Sequence, residues 1–275
     1  SQIPIELNLQ SYPEKWHLLE RYTTAVIIRV LKSMNGFFDP QTPISADAIL
    51  SKTEIAQGYR PVIQRWLNTL CRQNKIKARN GSFYVDGPLP ELEMDTIDRE
   101  LRNALSDIPF LYRYISSCAI ALKDILAGRK NPLDLLFPGG SFELAGDLYR
   151  AWPISRYFNG IGSEVLHAIV EALPRNITLR LLEIGGGTGG MTSAMLPRLP
   201  EERSAYYFTD VSDYFLKECE ERFRDYPFMR YRLLDIEKDP FTQGYGRYQF
   251  DVIIAANVLH ATKDLHRTVA NVSSL

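Results

Sequence analysis

The chain has 275 residues, of which 45% are hydrophobic and 24% are charged, and its formal net charge at pH 7 is −1. This composition is typical of a globular protein with one large domain or two of ordinary size. A net charge so close to zero argues against bulk attraction to nucleic acid or to a membrane, and no apolar run is long enough to span a bilayer. The three cysteines have no metal-ligand spacing, so we expect reduced structural thiols in a cytoplasmic protein.

Residues 1–150 carry the patterns of a mainly helical domain. Helical spacing of apolar residues predicts four long helices, over 16–34, 60–74, 97–108 and 110–126. The run 87–91, Gly-Pro-Leu-Pro-Glu, predicts a linker within this domain. We expect a second domain over residues 151–275, where the pattern changes.

One portion of the helical domain, at about 40–86, has the layout of a winged helix. A short helix after Ser45 and the helix over 60–74 are followed by a predicted hairpin, in which Asn80 and Gly81 favour a type I′ turn. Between Glu54 and Asp86 there is no acid, but there are six cations: Arg60, Arg65, Arg72, Lys75, Lys77 and Arg79. Three interpretations are open: a solvated face, a docking surface for an acidic protein, or a DNA-binding face.

The segment 181–190, Leu-Leu-Glu-Ile-Gly-Gly-Gly-Thr-Gly-Gly, organises the second domain. An apolar run, a glycine-rich turn and a potential helix begin a βαβ unit that binds a nucleotide. Gly185, Gly187 and Gly190 satisfy G-x-G-x-x-G, which alone is a weak signal. Glu183 refines it, because a carboxylate just before the turn suits a cationic amino-acid ligand such as S-adenosylmethionine and suits a pyrophosphate poorly.

From Leu179 onward, strands alternate with helices, which predicts a parallel sheet. The four predicted strands cover 179–184, 205–209, 229–234 and 250–256. Asp210 and Asp235 follow the second and third strands, and ligands of such sheets bind beyond the carboxyl ends of the strands. We expect Asp210 to accept hydrogen bonds from ribose hydroxyls and Asp235 to meet an adenine amino group, with Ile236 or Leu234 against the ring. A helix N-cap is the alternative for either acid; an NAD enzyme would explain Asp210 but neither Glu183 nor Asp235.

Together these motifs resemble the methyltransferase domains of modular polyketide synthases. The similarity lies in the runs 182–190, 208–212, 234–237 and 255–262, and upstream in 132–141, 148–149 and 156–159. The resemblance implies S-adenosylmethionine as methyl donor and an acyl chain on the phosphopantetheine arm of an acyl carrier protein as acceptor. It implies neighbouring synthase domains as further partners. Methylation of the α-carbon is the expected reaction, and O-methylation of a carrier-bound hydroxyl or enol is the alternative.

The resemblance also implies a fold and a set of site residues. The fold is α/β, a class I methyltransferase (Rossmann-like) core preceded by a helical lid domain with the winged-helix-like portion. His260 inherits the role of general base, which suits an imidazole that titrates near neutral pH. The residues expected at the donor are Glu183, Gly185, Gly187, Gly189, Asp210, Val211, Asp235, Ile236, Asn257 and Val258. Those expected at the acceptor or lid are Tyr149, Tyr157 and Asn159.

The sequence departs from the family's pattern at its end. A complete core of this class has three more strands after the fourth, whereas this chain stops at Leu275. We therefore expect only the first half of the core, without the glutamate that partners the base, and with the fourth strand as an exposed apolar edge. Two other functions stay open: a non-catalytic scaffold that keeps the nucleotide pocket, and a metal-assisted variant with His260 as a ligand.

Overall fold

The computed structural model describes residues 7–34, 42–85 and 93–275. The chain divides into two compact units, a helical unit over Asn8–Leu144 and a core unit that contains Ala145–Leu275. The division falls a little before residue 150, the boundary predicted from the sequence. The predicted linker at 87–91 lies outside the described residues. No helix in the described ranges is long and apolar enough to cross a membrane.

The helical unit is built from amphipathic helices. They are α1 (Tyr12–Ser33), α2 (Ala46–Lys52), α3 (Arg60–Arg72), α4 (Met94–Ala104), α5 (Pro109–Leu126) and the short α6 (Leu133–Leu136). A further short helix, α7 (Glu143–Gly146), crosses the boundary between the two units. In α3, the side chains of Ile63, Leu67 and Leu70 are fully buried at helical spacing. At the start of α2, the Ser45 hydroxyl accepts a hydrogen bond from the amide of Ala48, as an N-cap does. The predicted helices of this unit are confirmed to within a few residues.

A hairpin follows α3 and completes the winged-helix-like portion. Strands β1 (Lys77–Arg79) and β2 (Ser82–Tyr84) pair in antiparallel fashion. Asn80 and Gly81 have φ angles of 51° and 77°, both positive as a type I′ turn requires. Ile44 adds an antiparallel bridge to Phe83. The predicted order of helix, helix and hairpin is confirmed.

The core unit is a parallel sheet with helices. Its elements are α8 (Pro153–Ala172), β3 (Leu179–Ile184), α9 (Gly190–Met195), β4 (Ser204–Asp210), α10 (Asp213–Arg222), β5 (Met229–Leu233), β6 (Val252–Ile254) and α11 (Leu265–Ser273). A π-helical turn over Asp147–Ala151 precedes α8. The strands run in the order β5-β4-β3-β6, all parallel. This is the Rossmann-like arrangement that the sequence predicted.

The central strand β3 is buried on both faces, as expected inside a parallel sheet. Leu179 and Leu181 belong to one apolar cluster, and Leu182 and Ile184 belong to another. Strand β6 pairs only with β3 in the described sheet, so it is an edge strand, as predicted. Its side chains, however, are half-buried, whereas the prediction had them exposed. The reason is that both clusters cover them, so only the backbone of this edge is unpaired.

Candidate functional site

The glycine turn joins β3 to α9 and is tightly packed. Gly187 has a φ of 53°, a left-handed angle that favours glycine, and a Cβ there would meet no side chain. At position 186 glycine is required for a different reason: a Cβ there would lie 2.2 Å from the Phe208 ring. A Cβ on Gly190 would lie 2.6 Å from the main-chain oxygen of Tyr149. Side chains therefore pack against the turn at Gly186, while the backbone at Gly187 has no side chain against it.

Asp210, at the end of β4, fixes this turn. Its Oδ2 accepts a hydrogen bond from the Gly187 amide at 3.0 Å, and its Oδ1 accepts one from the Ser212 amide at 2.9 Å. The side chain is buried, and burial raises the pKa of its carboxyl above the ordinary value. Each carboxylate oxygen can accept two hydrogen bonds, so Asp210 keeps acceptor capacity for a ligand. Val211, the next residue, is 69% exposed.

Glu183, at the end of β3, lies in the interior with 1% of its surface exposed. Its Oε2 accepts hydrogen bonds from the Thr192 hydroxyl at 2.6 Å and from the Tyr206 hydroxyl at 2.8 Å. Burial raises the pKa of the carboxyl to about 7, although both hydroxyls act to lower it. The sequence analysis did not identify Thr192 and Tyr206. A carboxylate on a buried strand needs hydrogen-bond donors nearby, and that requirement was the one indication in the sequence that such residues exist.

Asp235 follows β5 and has partners of its own. Its Oδ1 accepts from the Glu237 amide at 3.1 Å, and its Oδ2 pairs with Lys238 Nζ at 2.9 Å. The Lys238 bond, with the Glu237 amide, lowers the pKa of the Asp235 carboxyl despite partial burial. The local main chain is fixed by Gln243, which bonds both the amide and the carbonyl of Asp235. Ile236 is buried in one of the two apolar clusters.

The end of β6 reaches the glycine turn. Val258 packs against Gly185, where a Cβ would lie 2.6 Å from a Val258 methyl carbon. Asn257 is exposed and has a φ of 57°, an uncommon angle for a residue with a side chain. His260 lies exposed in the 3-10 turn Leu259–Ala261 that follows. The structure thus brings the β6 end and the β3 turn together, as expected for parallel neighbours.

The residues predicted for the acceptor side lie at the start of α8 or just before it. The Asn159 side-chain amide donates to the Tyr149 carbonyl at 3.1 Å, and the same carbonyl faces Gly190 at the start of α9. Tyr149 is 40% exposed. Tyr157 is half-buried, with its ring edge-on to Phe158. All three predicted residues lie in the core unit.

Two residues of α10 donate hydrogen bonds to main-chain carbonyls of the glycine turn. The sequence analysis did not single them out for this site. The Cys219 thiol donates to the Gly187 carbonyl at 3.5 Å, and Arg222 Nη1 donates to the Thr188 carbonyl at 2.6 Å. Burial raises the pKa of the Cys219 thiol to about 12, so the group stays neutral and serves as a structural thiol.

The residues present fit S-adenosylmethionine. Its ribose hydroxyls need an acceptor, and the Asp210 carboxylate has acceptor capacity left. Its ammonium group needs a carboxylate. Only Oε2 of Glu183 accepts hydrogen bonds from the part of the chain that the structure describes, so Oε1 retains its acceptor capacity. At Gly187, where no side chain packs against the turn, the backbone permits close approach.

Comparisons with known proteins agree with this fit. Residues 182–275 match a family described as "Methyltransferase domain". The non-reducing polyketide synthase adrD of Penicillium rubens is 29% identical over 96% of this chain, which covers 10% of that protein. The chain thus spans about a tenth of the length of this curated relative.

Solved structures extend the match to the whole chain. The CurJ carbon methyltransferase superposes with a TM-score of 0.87 at 30% identity, covering 100% of this chain and 77% of that one. The trans-methyltransferase CalH, solved in complex with SAH, has a TM-score of 0.64 at 26% identity. The match covers 97% of this chain and 69% of the CalH chain. Because the identity to a carbon methyltransferase extends from end to end and the sequence relatives are polyketide synthases, this chain belongs to the S-adenosylmethionine-dependent carbon methyltransferase domains of polyketide synthases.

Proposed function

We propose that this domain methylates the α-carbon of an acyl chain carried on the phosphopantetheine arm of an acyl carrier protein. The observation that carries the proposal is the whole-chain likeness to the CurJ carbon methyltransferase. The polyketide synthase relatives support the carrier and the neighbouring synthase domains as partners. O-methylation of a carrier-bound hydroxyl or enol is the alternative. The cytoplasmic location remains a prediction.

Donor binding is assigned to the residues at the strand ends. Asp210 accepts from the ribose hydroxyls, Glu183 faces the ammonium group, and Asp235 meets the adenine amino group. Asn257 and Val258 line the methionine portion, next to the glycine turn. The bound donor supplies a methyl group on a positively charged sulfur, which leaves as a neutral thioether.

The proton chemistry is assigned to His260. Histidine is the side chain that most often acts as a general base in enzymes, and a β-carbonyl acidifies the α-hydrogen that it would remove. His260 takes the α-proton, and the electron pair left on the carbon forms the new C–C bond to the methyl group as the C–S bond breaks. The exposure of His260 supports this role, because a carrier-bound chain must reach the base from outside.

Replacing His260 with alanine in the full-length protein tests the proposal. Donor affinity should stay within about threefold, while methyl transfer to a carrier-bound β-ketoacyl chain falls by about 10²–10⁴, the range for losing a positioned base. The variant should also lose donor-independent exchange of the α-hydrogen into deuterated water. The matched control is His266→Ala, an exposed histidine in α11 that should keep full activity.

Mass spectrometry of the products separates the alternatives. Near wild-type methylation by His260→Ala would end the base hypothesis. Wild-type turnover without α-exchange would favour O-methylation of a carrier-bound hydroxyl, because a hydroxyl acceptor, unlike an enol, forms without loss of the α-proton. An O-methylated product made with α-exchange would favour the enol. A wild-type protein that binds the donor but methylates no member of a carrier-loaded acyl panel would favour the non-catalytic scaffold.

A further inference from the structure

Three elements that frame the glycine turn meet at one carboxylate. Glu183 lies on β3, Thr192 in the helix α9 that the turn begins, and Tyr206 on the neighbouring strand β4. Both hydroxyls donate to the same oxygen, Oε2, at 2.6 and 2.8 Å. The side chain of Thr209 is close by but donates to the main-chain carbonyl of Glu183 at 2.6 Å, not to the carboxylate.

This arrangement favours a particular orientation of the Glu183 carboxyl group. Two hydrogen bonds to one oxygen fix the plane of the carboxyl group, because a partial rotation about the last side-chain bond would break both of them, while a half-turn only exchanges two equivalent oxygens. A buried carboxylate with one free oxygen bears a desolvation cost that a nearby cation offsets. The amino-acid end of the methyl donor brings such a cation.

We propose that Thr192 and Tyr206 are positioning residues for the methyl donor, which hold Oε2 so that Oε1 of Glu183 accepts a hydrogen bond from the donor's ammonium group. The inference rests on the proposed role of Glu183 in donor binding. Neither hydroxyl touches the reacting atoms. Their effect is to keep the acid charged and oriented before the donor arrives.

The charge state of Glu183 makes this role measurable. Burial places its pKa at about 7, so donor binding, which favours the charged form, should strengthen as pH rises through that value. The titratable groups that face it are Asp210 and Tyr206 on β4 and Cys219 on α10. Cys219 and Tyr206 stay neutral here because their pKa values are raised, and the charge of Asp210 raises the pKa of Glu183 further.

The test measures S-adenosylmethionine affinity by calorimetry from pH 6 to pH 8, with the full-length protein and no acceptor. The donor's own amino group titrates near this range, so each curve is compared with Glu183→Gln at the same pH. Removing a hydroxyl that stabilises the charged acid raises its pKa. Because the acid must lose its proton when the donor binds, Tyr206→Phe and Thr192→Val should weaken binding by about threefold to tenfold at pH 6. The loss should be less than about twofold at pH 8, where the acid stays mostly charged.

Two further variants separate positioning from packing. Thr192→Ser retains the hydroxyl and should restore the wild-type profile. Thr209→Val removes a buried hydroxyl that bonds only the main chain and should leave the profile unchanged. An equal loss at pH 6 and pH 8 in Tyr206→Phe and Thr192→Val, or a wild-type profile in both, would overturn the inference. Because no acceptor is present, these outcomes are independent of which atom the enzyme methylates.

Discussion

Asp210 combines a structural task with a proposed ligand contact in one carboxylate. Its two oxygens hold the amides of Gly187 and Ser212, which belong to the turns that open α9 and α10. Ribose hydroxyls would use the remaining lone pairs of the same oxygens. Replacing Asp210 should therefore affect both the donor and the turn that receives it.

For Asp210→Ala we expect S-adenosylmethionine affinity to fall by about 1.5–3 kcal/mol, as for hydrogen bonds to a charged group. Titration calorimetry measures it, and Asp210→Asn, which keeps one oxygen acceptor, should fall in between. Asp213→Ala is the control, because that exposed acid pairs with Lys217 on the surface of α10. Unchanged affinity would remove Asp210 from the site. Tight binding of NAD instead would contradict the donor assignment.

The positions of these acids could be predicted from the sequence, and their surroundings could not. Glu183 and Asp210 stand at the ends of apolar runs, and the carboxyl ends of parallel strands meet at one edge. The partners of Glu183 lie 9 and 23 residues away, on a different helix and strand. Which hydroxyl faces which oxygen depends on how α9 packs on the sheet, and that is a tertiary property.

At the scale of elements, the cations of the winged-helix-like portion differ in their ion pairing and in their exposure. Arg60 is engaged by both carboxylate oxygens of Asp47, at 2.6 and 2.8 Å. Arg65 and Arg72 are exposed on α3 and stand seven residues apart, so they share one face of the helix. Lys75 is half-buried. Lys77 and Arg79 are exposed on β1. Arg65 and Arg72 are therefore the part of the stretch that forms an exposed basic face on a helix.

If this face docks the carrier protein, Arg65→Glu with Arg72→Glu should raise the apparent KM for carrier-bound substrate several-fold and leave a small thioester surrogate unaffected. The effect should shrink with added salt, because exposed charges act mainly on the encounter rate. The control, Arg99→Glu with Arg113→Glu, reverses two exposed cations on α4 and α5. Equal losses on both substrates would mean a folding defect, and tight duplex DNA binding by the wild type would support the DNA-binding interpretation.

Local chemistry explains which elements were predictable. The hairpin follows from Asn80 and Gly81, whose positive φ angles only a few residue types adopt readily. The π-helical turn Asp147–Ala151 has the same apolar pattern as an ordinary helix, so the sequence does not distinguish the two. There Arg150 Nε donates to the Gly146 carbonyl at 3.4 Å, and its guanidinium occupies space that a Cβ on Gly146 would fill. Sequence periodicity does not report a contact of that kind.

At the scale of the whole molecule, the buried acid couples folding of the core unit to pH. The Glu183 carboxyl has a pKa of about 7 in the folded chain and an ordinary value of 4.5, so the folded state binds its proton more tightly. Its contribution to stability is fully present below pH 4.5 and is lost as pH rises through about 7. Asp235 and Asp251, with lowered pKa values, act oppositely, and only at acidic pH where they become protonated.

Between pH 5 and pH 8, wild-type stability of the core unit should fall by on the order of 3 kcal/mol through Glu183 alone. Glu183→Gln has nearly the same shape and an oxygen that accepts from both hydroxyls, but it does not titrate. Its profile should be flatter by that amount, and it should be the more stable protein at pH 8. Because the chain divides into two compact units, a signal from the whole chain would mix their stabilities. The measurement is therefore hydrogen exchange of the β3 and β4 amides, corrected for intrinsic exchange rates. Parallel profiles for the two proteins would show that Glu183 is charged across the whole range, and that its hydroxyl partners and nearby water offset the cost of burial.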